Sequence, residues 1–451
     1  MTTEASPRRR RQRHRVDHDA PARTIWPAGA TLLLATLVLF LPLMMGHRTP
    51  MTLTASLALM VWLSLLAAFV ASGPARLPLP PTSWLLFAGL FSLAVLLQIV
   101  PGTPLTQWFG PYPPALLQGD FQVRTWSPDP GASLRGWAAF IALFTVAWLT
   151  SQLPHRQRYA LWLVVVAMAL FQALYGLLSH ATGAESIFGI WERNNPGFVH
   201  GSFSNRNLFA ANLALCWPLA VGVWFIRGMP LIGRLPGELR LTGSIICGAI
   251  IGAAMLGSAS RMGAAAGVFG MLVALMLWIR HQRQMTDASI WPFVLAMLAA
   301  MVAAWYGLMP LAERLLATSG EEARLETAII MLRDMPSRWW LHGVGLGGFE
   351  AVFKQVQPAD MGSWWDYAHN DLLQFVLEMG VVGIILIGMV GAAIWKNAAL
   401  RMERIPLYAG LAALCVVGIG DFSWHIPATQ LLLAMYIGVL ARPAPRRGAS
   451  E

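Results

Sequence analysis

The stretch SWWDYAHNDLLQFVLEMGVVG, residues 363–383, carries a polar segment straight into an apolar run, with His369 at the junction. An imidazole flanked by Asp366, Asn370 and Asp371 at the head of a long hydrophobic segment belongs where a membrane helix meets water, the depth at which a titratable side chain costs least. Asn370, Gln374 and Glu378 recur at i, i+4 and i+8, so on a helix they form one polar stripe running down from that junction. Such a stripe is expected to face protein and not lipid. The plainer reading makes Asn370 or Asp371 a helix cap and gives Glu378 a partner on a neighbouring element.

Outward from this stretch, composition sets the class. The 451 residues are 56% hydrophobic and only 12% charged, with a mean hydropathy of +0.56, which is too few charges for a soluble surface. The expected fold is all-α, a polytopic helical membrane protein. Cys216, Cys247 and Cys415 all lie in apolar runs, so neither a disulfide framework nor a cysteine metal site is indicated.

Apolar runs long enough to span occur near 26–45, 51–72, 83–100, 135–152, 159–179, 207–226, 241–257, 262–279, 291–309, 371–395, 406–421 and 426–441. This predicts about 12 transmembrane helices within residues 26–441, between a basic tail at 1–25 containing RRRRQRHR and a second tail at 442–451. Placing both termini inside puts 21 Lys+Arg and 7 Asp+Glu on the inner side and 11 and 15 on the outer side. The balance of +14 against −4 makes up the net +10 and follows the positive-inside rule. A pI near 10.2 then reports orientation and not a nucleic-acid footprint.

Three outer loops exceed what a hairpin needs, at about 101–134, 180–206 and 310–370. In the longest, SGEE at 319–322 is a capping-box pattern, and Leu325, Ile329 and Leu332 recur at helical spacing until Pro336 ends the run. Trp339 and Trp340 then lead into GVGLGGF, 343–349, which reads as a flexible turn near the headgroups with a weak signal for phosphate cradling.

Arginines on the outer side depart from the rule that places them inside. Arg206, in SFSNRNLFA (202–210), opens one helix, and Arg261, in SASRMG (258–263), occupies a tight turn between two others. Either guanidinium could snorkel to lipid phosphate. Either could also clamp a substrate diphosphate, through charged hydrogen bonds worth about 1.5–3 kcal/mol each. His180, His200, His342 and His425 share the outer side with His369, so residue type alone does not choose a base.

SFSNRNLFA, SASRMG, an arginine-bearing loop (Arg324) passing through Pro336 to GVGLGGF, YAHNDLLQFVLEMGVVG and GDFSWHIPATQLLLAMYIGVL stand in an order that resembles the O-antigen ligase and O-antigen (exopolysaccharide) polymerase superfamily, over about 180–440. The wording around Arg206 and at 421–427 looks closer to the polymerase branch. VVGIG before Asp421 and SRWWLHG before the glycine turn depart from the pattern. The resemblance implies transfer of a glycan from an undecaprenyl-diphosphate carrier to a glycan or lipid A-core acceptor on the periplasmic face of the bacterial inner membrane, without metal or cofactor. It implies that Arg206, Arg261 and Arg324 meet the diphosphate and that His369 serves the acceptor hydroxyl. Asn207, Asp366, Asn370, Asp371, Glu378 and Asp421 are candidates for supporting roles. Membrane lipids, and proteins of chain-length control or export, would be its other partners, with no role for nucleic acid.

Of the two carboxylates next to His369 in sequence, Asp366 is the better placed to orient the ring if the helix starts early. Two rival classes remain at this point, a twelve-helix transporter or flippase of lipid-linked sugars and a non-catalytic subunit. The first predicts ionisable residues in mid-membrane and an internal repeat. The second leaves the arginine and histidine placements unexplained.

Overall fold

A computed structural model describes residues 26–44, 79–101, 104–111, 125–193, 197–282, 319–359, 361 and 365–443. The basic tail and the runs expected at 51–72 and 291–309 lie outside the described residues, as do the side chains of the SGEE box.

The architecture is helical. In chain order the helices are α1 (Trp26–Leu43), α2 (Thr82–Ile99), the short α3 (Pro104–Phe109), α4 (Pro130–Gln152), α5 (His155–Ala181), α6 (Arg206–Gly222), α7 (Gly237–Gly257), α8 (Arg261–Gln282), α9 (Ser319–Asp334), α10 (Ser337–His342), α11 (Phe349–Phe353), α12 (Asp371–Lys396), α13 (Ile405–Gly420) and α14 (Pro427–Leu440). An antiparallel bridge of two residues a side, β1 (Ser186–Ile187) with β2 (Trp191–Glu192), is a small departure from the all-α expectation within the 180–206 loop. Among the described residues seven helices are long and apolar enough to cross a membrane, and three further apolar helices, α1, α13 and α14, are shorter. The chain is a polytopic helical membrane protein.

At the centre stands α6, whose residues from Leu208 to Gly222 are all buried. It packs against α7, α8 and α13. Small residues permit that approach: a Cβ at Gly263 of α8 would lie 2.3 Å from the Cβ of Ala210. At the end of the bundle that holds the start of α5 and the turn before α13, polar contacts tie the loops together. Glu403 accepts from the Tyr159 hydroxyl at 2.8 Å and lies 3.5 Å from Arg158 and 3.1 Å from His155. Burial alone would raise the Glu403 carboxyl, but Arg158, Tyr159 and His155 outweigh it and hold it below its ordinary range. Arg404 donates to the carbonyls of Asn397 and Arg442, both at 2.7 Å.

In the long segment between α8 and α12, α9 stops two residues before Pro336, as that proline dictates. Its buried face is Thr327, Ile330 and Met331, whereas Leu325, Ile329 and Leu332 are exposed. The periodic apolar row is therefore not the packed one. Trp339 of α10 is buried with Val344, Phe349 and Phe353 in a separate small core beneath the loop.

Candidate active site

The side chain of Asn370 accepts from Leu373 N at 2.9 Å and starts α12. Gln374 and Glu378 follow buried at i and i+4 as the polar stripe requires, but Asn370 is the cap outside the helix, and Asp371 is the buried residue at the head of the stripe. The helix then breaks: Gly380 has φ 60° and ψ −146°, a conformation essentially reserved for glycine. The break frees two carbonyls of the preceding turn, and the glycine-rich turn fills them. Val344 N donates to Leu377 O at 3.0 Å and Gly345 N to Glu378 O at 3.1 Å.

The remaining amides of 343–349 are also engaged. Gly343 N donates to Trp339 O and Gly348 N to Gly345 O, while Leu346 N donates to Gln98 Oε1 at 3.0 Å. Gly347 N donates to Glu378 Oε2 at 2.8 Å, and Phe349 N approaches Oε1 at 3.4 Å. Gln374 Nε2 completes the Glu378 carboxylate at 3.0 Å. The expectation of a flexible turn is thus corrected, and the weak signal for phosphate cradling finds no free amide among 343–349. These amides already have acceptors, and Glu378 is a buried hub with its partners in place, which is the plainer of the two readings.

Arg324, Asp421 and His369 come together at the C-terminal end of α13. Arg324 Nη1 donates to Gly420 O at 3.0 Å and lies 3.5 Å from Asp421 Oδ2. Asp421 is 1% exposed, accepts from Phe422 N at 2.9 Å, and places Oδ1 3.4 Å from His369 Nδ1. His369 has φ 50°, uncommon for a residue with a Cβ. Its ring stands edge-on to Trp365 and Phe422. Asp421, 52 positions away in sequence, is the carboxylate at the ring, whereas Asp366, expected in that place, lines a neighbouring cavity.

The two other arginines open helices that end in this region. Arg206 is the first residue of α6 behind the Asn205 cap, which receives Asn207 N at 2.7 Å. Its guanidinium carbon lies 4.1 Å over the Phe198 ring, it is 7% exposed, and Nη1 has no hydrogen-bond partner among the described residues. A buried guanidinium nitrogen without an acceptor is costly and suits an incoming anion. Arg261 is the first residue of α8, and the next side chain, Met262, lies against Gly420. The starts of α6 and α8 and the end of α13 therefore meet at one end of the bundle.

The other candidate histidines separate by environment. His200 takes Arg193 Nε at 2.7 Å on Nε2 and donates from Nδ1 to Phe203 O at 2.7 Å. Burial first, then Arg193, drives it down to about 4, so it is a neutral brace. His342 is boxed by Phe109 and Trp126 and held low by burial. His425 differs. Its Nδ1 is 2.7 Å from Asp371 Oδ1, and although burial would lower it, the Asp371 bond and the charges of Asp371 and Glu378 raise it above its ordinary value. It lines a cavity of about 1100 Å³ with Asp371, Gln374 and Glu378, which runs between α2, α4, α12 and α14 from Asp129 and Glu350 to Lys396. The His425–Asp371 pair escaped sequence reasoning, because 54 residues separate partners that only the folding of α13 brings together.

No curated protein matches the chain. Residues 246–388 match the O-antigen ligase family, whose members are O-antigen ligases and polymerases. The matched segment runs from within α7 into α12 and contains Arg261, Arg324 and His369, while Arg206, Asp421 and His425 lie outside it. The chain is thereby a multi-pass membrane protein whose residues 246–388 match the O-antigen ligase family.

Proposed function

We propose that the protein transfers an oligosaccharide or polysaccharide from undecaprenyl diphosphate to an acceptor glycan at the periplasmic face of the inner membrane. The observation that carries this reading is the Arg324–Asp421–His369 contact at the C-terminal end of α13, beside the starts of the arginine-led helices α6 and α8. Transfer from a lipid diphosphate builds negative charge on the leaving oxygens, and fixed guanidinium groups stabilise it in place. Arg206, Arg261 and Arg324 are the proposed diphosphate contacts, with Asn207 beside them. His369 takes the acceptor proton as the hydroxyl attacks, with Asp421 stabilising the imidazolium that forms, and one displacement inverts the anomeric carbon. Asn370, Asp371 and Glu378 support this arrangement by capping and bracing the start of α12, and Asp366 by lining the neighbouring cavity.

Lysine cannot reproduce the planar fork of a guanidinium. Arg206→Lys and Arg261→Lys are therefore each expected to weaken carrier-lipid binding about 10-fold or more, the loss of one charged hydrogen bond, with insertion and folding unchanged. Titration of purified protein with carrier lipid measures this. Full affinity in both variants would make these arginines lipid-snorkelling residues and remove the clamp.

The proposed topology has twelve spans, comprising the ten apolar helices among the described residues and the runs at 51–72 and 291–309, within 26–441. Both termini, including the tails at 1–25 and 442–451, are cytoplasmic, and the loop at about 310–370 is periplasmic. Reporter fusions after Gly320 and at the C-terminus are expected on opposite sides. Finding both on one side would overturn the topology together with the site.

A further inference from the structure

Four rings form a ladder across the outer end of the bundle. His369 stands edge-on to Phe422 at 4.8 Å, Phe422 stacks on Tyr367 at 4.7 Å, and Tyr367 lies 4.8 Å from His425. The ladder separates two electrostatic environments. On the His369 side are Arg324 and Asp421. On the His425 side the outer half of the cavity wall carries Asp129, Glu350, Asp366, Asp371 and Glu378 against two cations, Arg135 at 3.8 Å from Asp129 and Lys354 at 2.7 Å from Glu350.

Within this wall His425 is held from behind. Asp371 Oδ1 engages its Nδ1 at 2.7 Å, and Asp371 Oδ2 accepts from Trp424 N at 2.9 Å, so carboxylate and ring are locked to the same turn. The opposite edge is loosely met: Nε2 lies 3.4 Å from Gln374 Nε2. Gln374 cannot turn to improve that contact, because its Oε1 accepts from Ala368 N at 2.9 Å and its Nε2 already serves Glu378 at 3.0 Å. A fixed ring with one weakly met nitrogen on a cavity wall is built to receive a ligand group. A hydroxyl both donates and accepts, so it matches Nε2 in either protonation state, which neither a carbonyl nor an ammonium does.

We infer that His425, held by Asp371, is an acceptor-positioning residue whose Nε2 edge binds an acceptor-sugar hydroxyl other than the attacking one, and that the acidic wall confines the acceptor to uncharged or amino sugars. The inference rests on the glycan-transfer reading. A uronate or phosphate entering the cavity would be brought against carboxylates, a like-charge approach that discriminates without any additional contact.

The test uses the purified full-length protein, the cell's carrier-linked repeat unit as donor, and as acceptors a neutral oligosaccharide released from that carrier and its uronate-containing counterpart. Asparagine places its amide nitrogen where Nδ1 stands, so His425→Asn keeps the Asp371 bond and removes only the Nε2 edge. Glutamine reaches the Nε2 position instead. His425→Asn is expected to raise the acceptor KM about 10-fold with kcat within about 3-fold, the loss of one hydrogen bond. His425→Gln is expected to recover most of the difference. Carrier-lipid binding is expected to match wild type in both variants, and the thermal midpoint in His425→Asn, which keeps the Asp371 bond; this separates positioning from misfolding. The uronate acceptor is expected to show the higher KM on wild type, and Asp366→Asn to narrow the gap.

An unchanged KM in His425→Asn overturns the inference, as does a fall of about 100-fold in kcat at constant KM without rescue by glutamine, which would make His425 the proton acceptor. Equal use of the two acceptors overturns the charge selection. A wild type that transfers nothing overturns the glycan-transfer reading itself, and the inference with it, whereas failure of the variants alone leaves that reading standing.

Discussion

His369→Ala is expected to lower glycan transfer by about 10² to 10⁴, the usual contribution of a positioned base, while carrier-lipid binding survives because the arginines remain. The separation follows from the geometry. His369 meets the arginine side of the site through Asp421, and Arg324 holds both Asp421 and the Gly420 carbonyl without it. Asp421→Asn keeps the shape but removes the charge that stabilises an imidazolium, so it is expected to lower kcat more than it raises either KM. Side-by-side assays of carrier binding and transfer in detergent measure both effects. A His369→Ala protein that binds carrier normally and transfers at near wild-type rate would remove His369 from the chemistry. One that loses carrier binding would place it among the diphosphate contacts.

Gly380→Ala is expected to be the most damaging of the conservative changes. The added Cβ would lie 2.5 Å from Leu341 O and 2.6 Å from Gly343 N, both backbone atoms, and the φ and ψ of this position strain any other residue by about 1–3 kcal/mol. Relieving the clash means moving the 341–343 backbone, and with it the turn whose amides reach Leu377 O, Glu378 O and the Glu378 carboxylate. A fall of about 5 °C or more in the thermal midpoint is expected, with loss of transfer. Gly388→Ala and Gly391→Ala, further along the same helix, meet nothing within 4 Å and serve as controls expected to be neutral or slightly stabilising. If Gly380→Ala unfolds at the wild-type midpoint, the break in α12 does not hold the site together.

Much of this was legible in the residue order, for a physical reason. Span length and apolar content are local properties, so the ten apolar helices among the described residues fall on ten of the expected runs. Capping is local too: Asn370 could be named as a cap because the bond it makes closes within three residues. Gln374 and Glu378 were readable as one row because helical periodicity puts i and i+4 on one face whatever packs against it, whereas Asn370, expected in the same row, is the cap. Arg206 and Arg261 were conspicuous because lipid orientation rules act on charge near helix ends.

What folding alone decided depends on contacts between distant segments. Asp421 took the place expected of Asp366 beside His369 because the end of α13 packs against that junction, and no spacing rule spans 52 residues. The glycine turn read as free chain because its acceptors lie in another helix, and they became available only where Gly380 interrupts α12. Leu325, Ile329 and Leu332 showed a period without a side, since a repeat of apolar residues states where a face is and not whether anything covers it. The pairing of His425 with Asp371 is of the same kind. Residue type made both candidates for chemistry, but only the three-dimensional approach of α12 and the turn after α13 sets them 2.7 Å apart on a cavity wall.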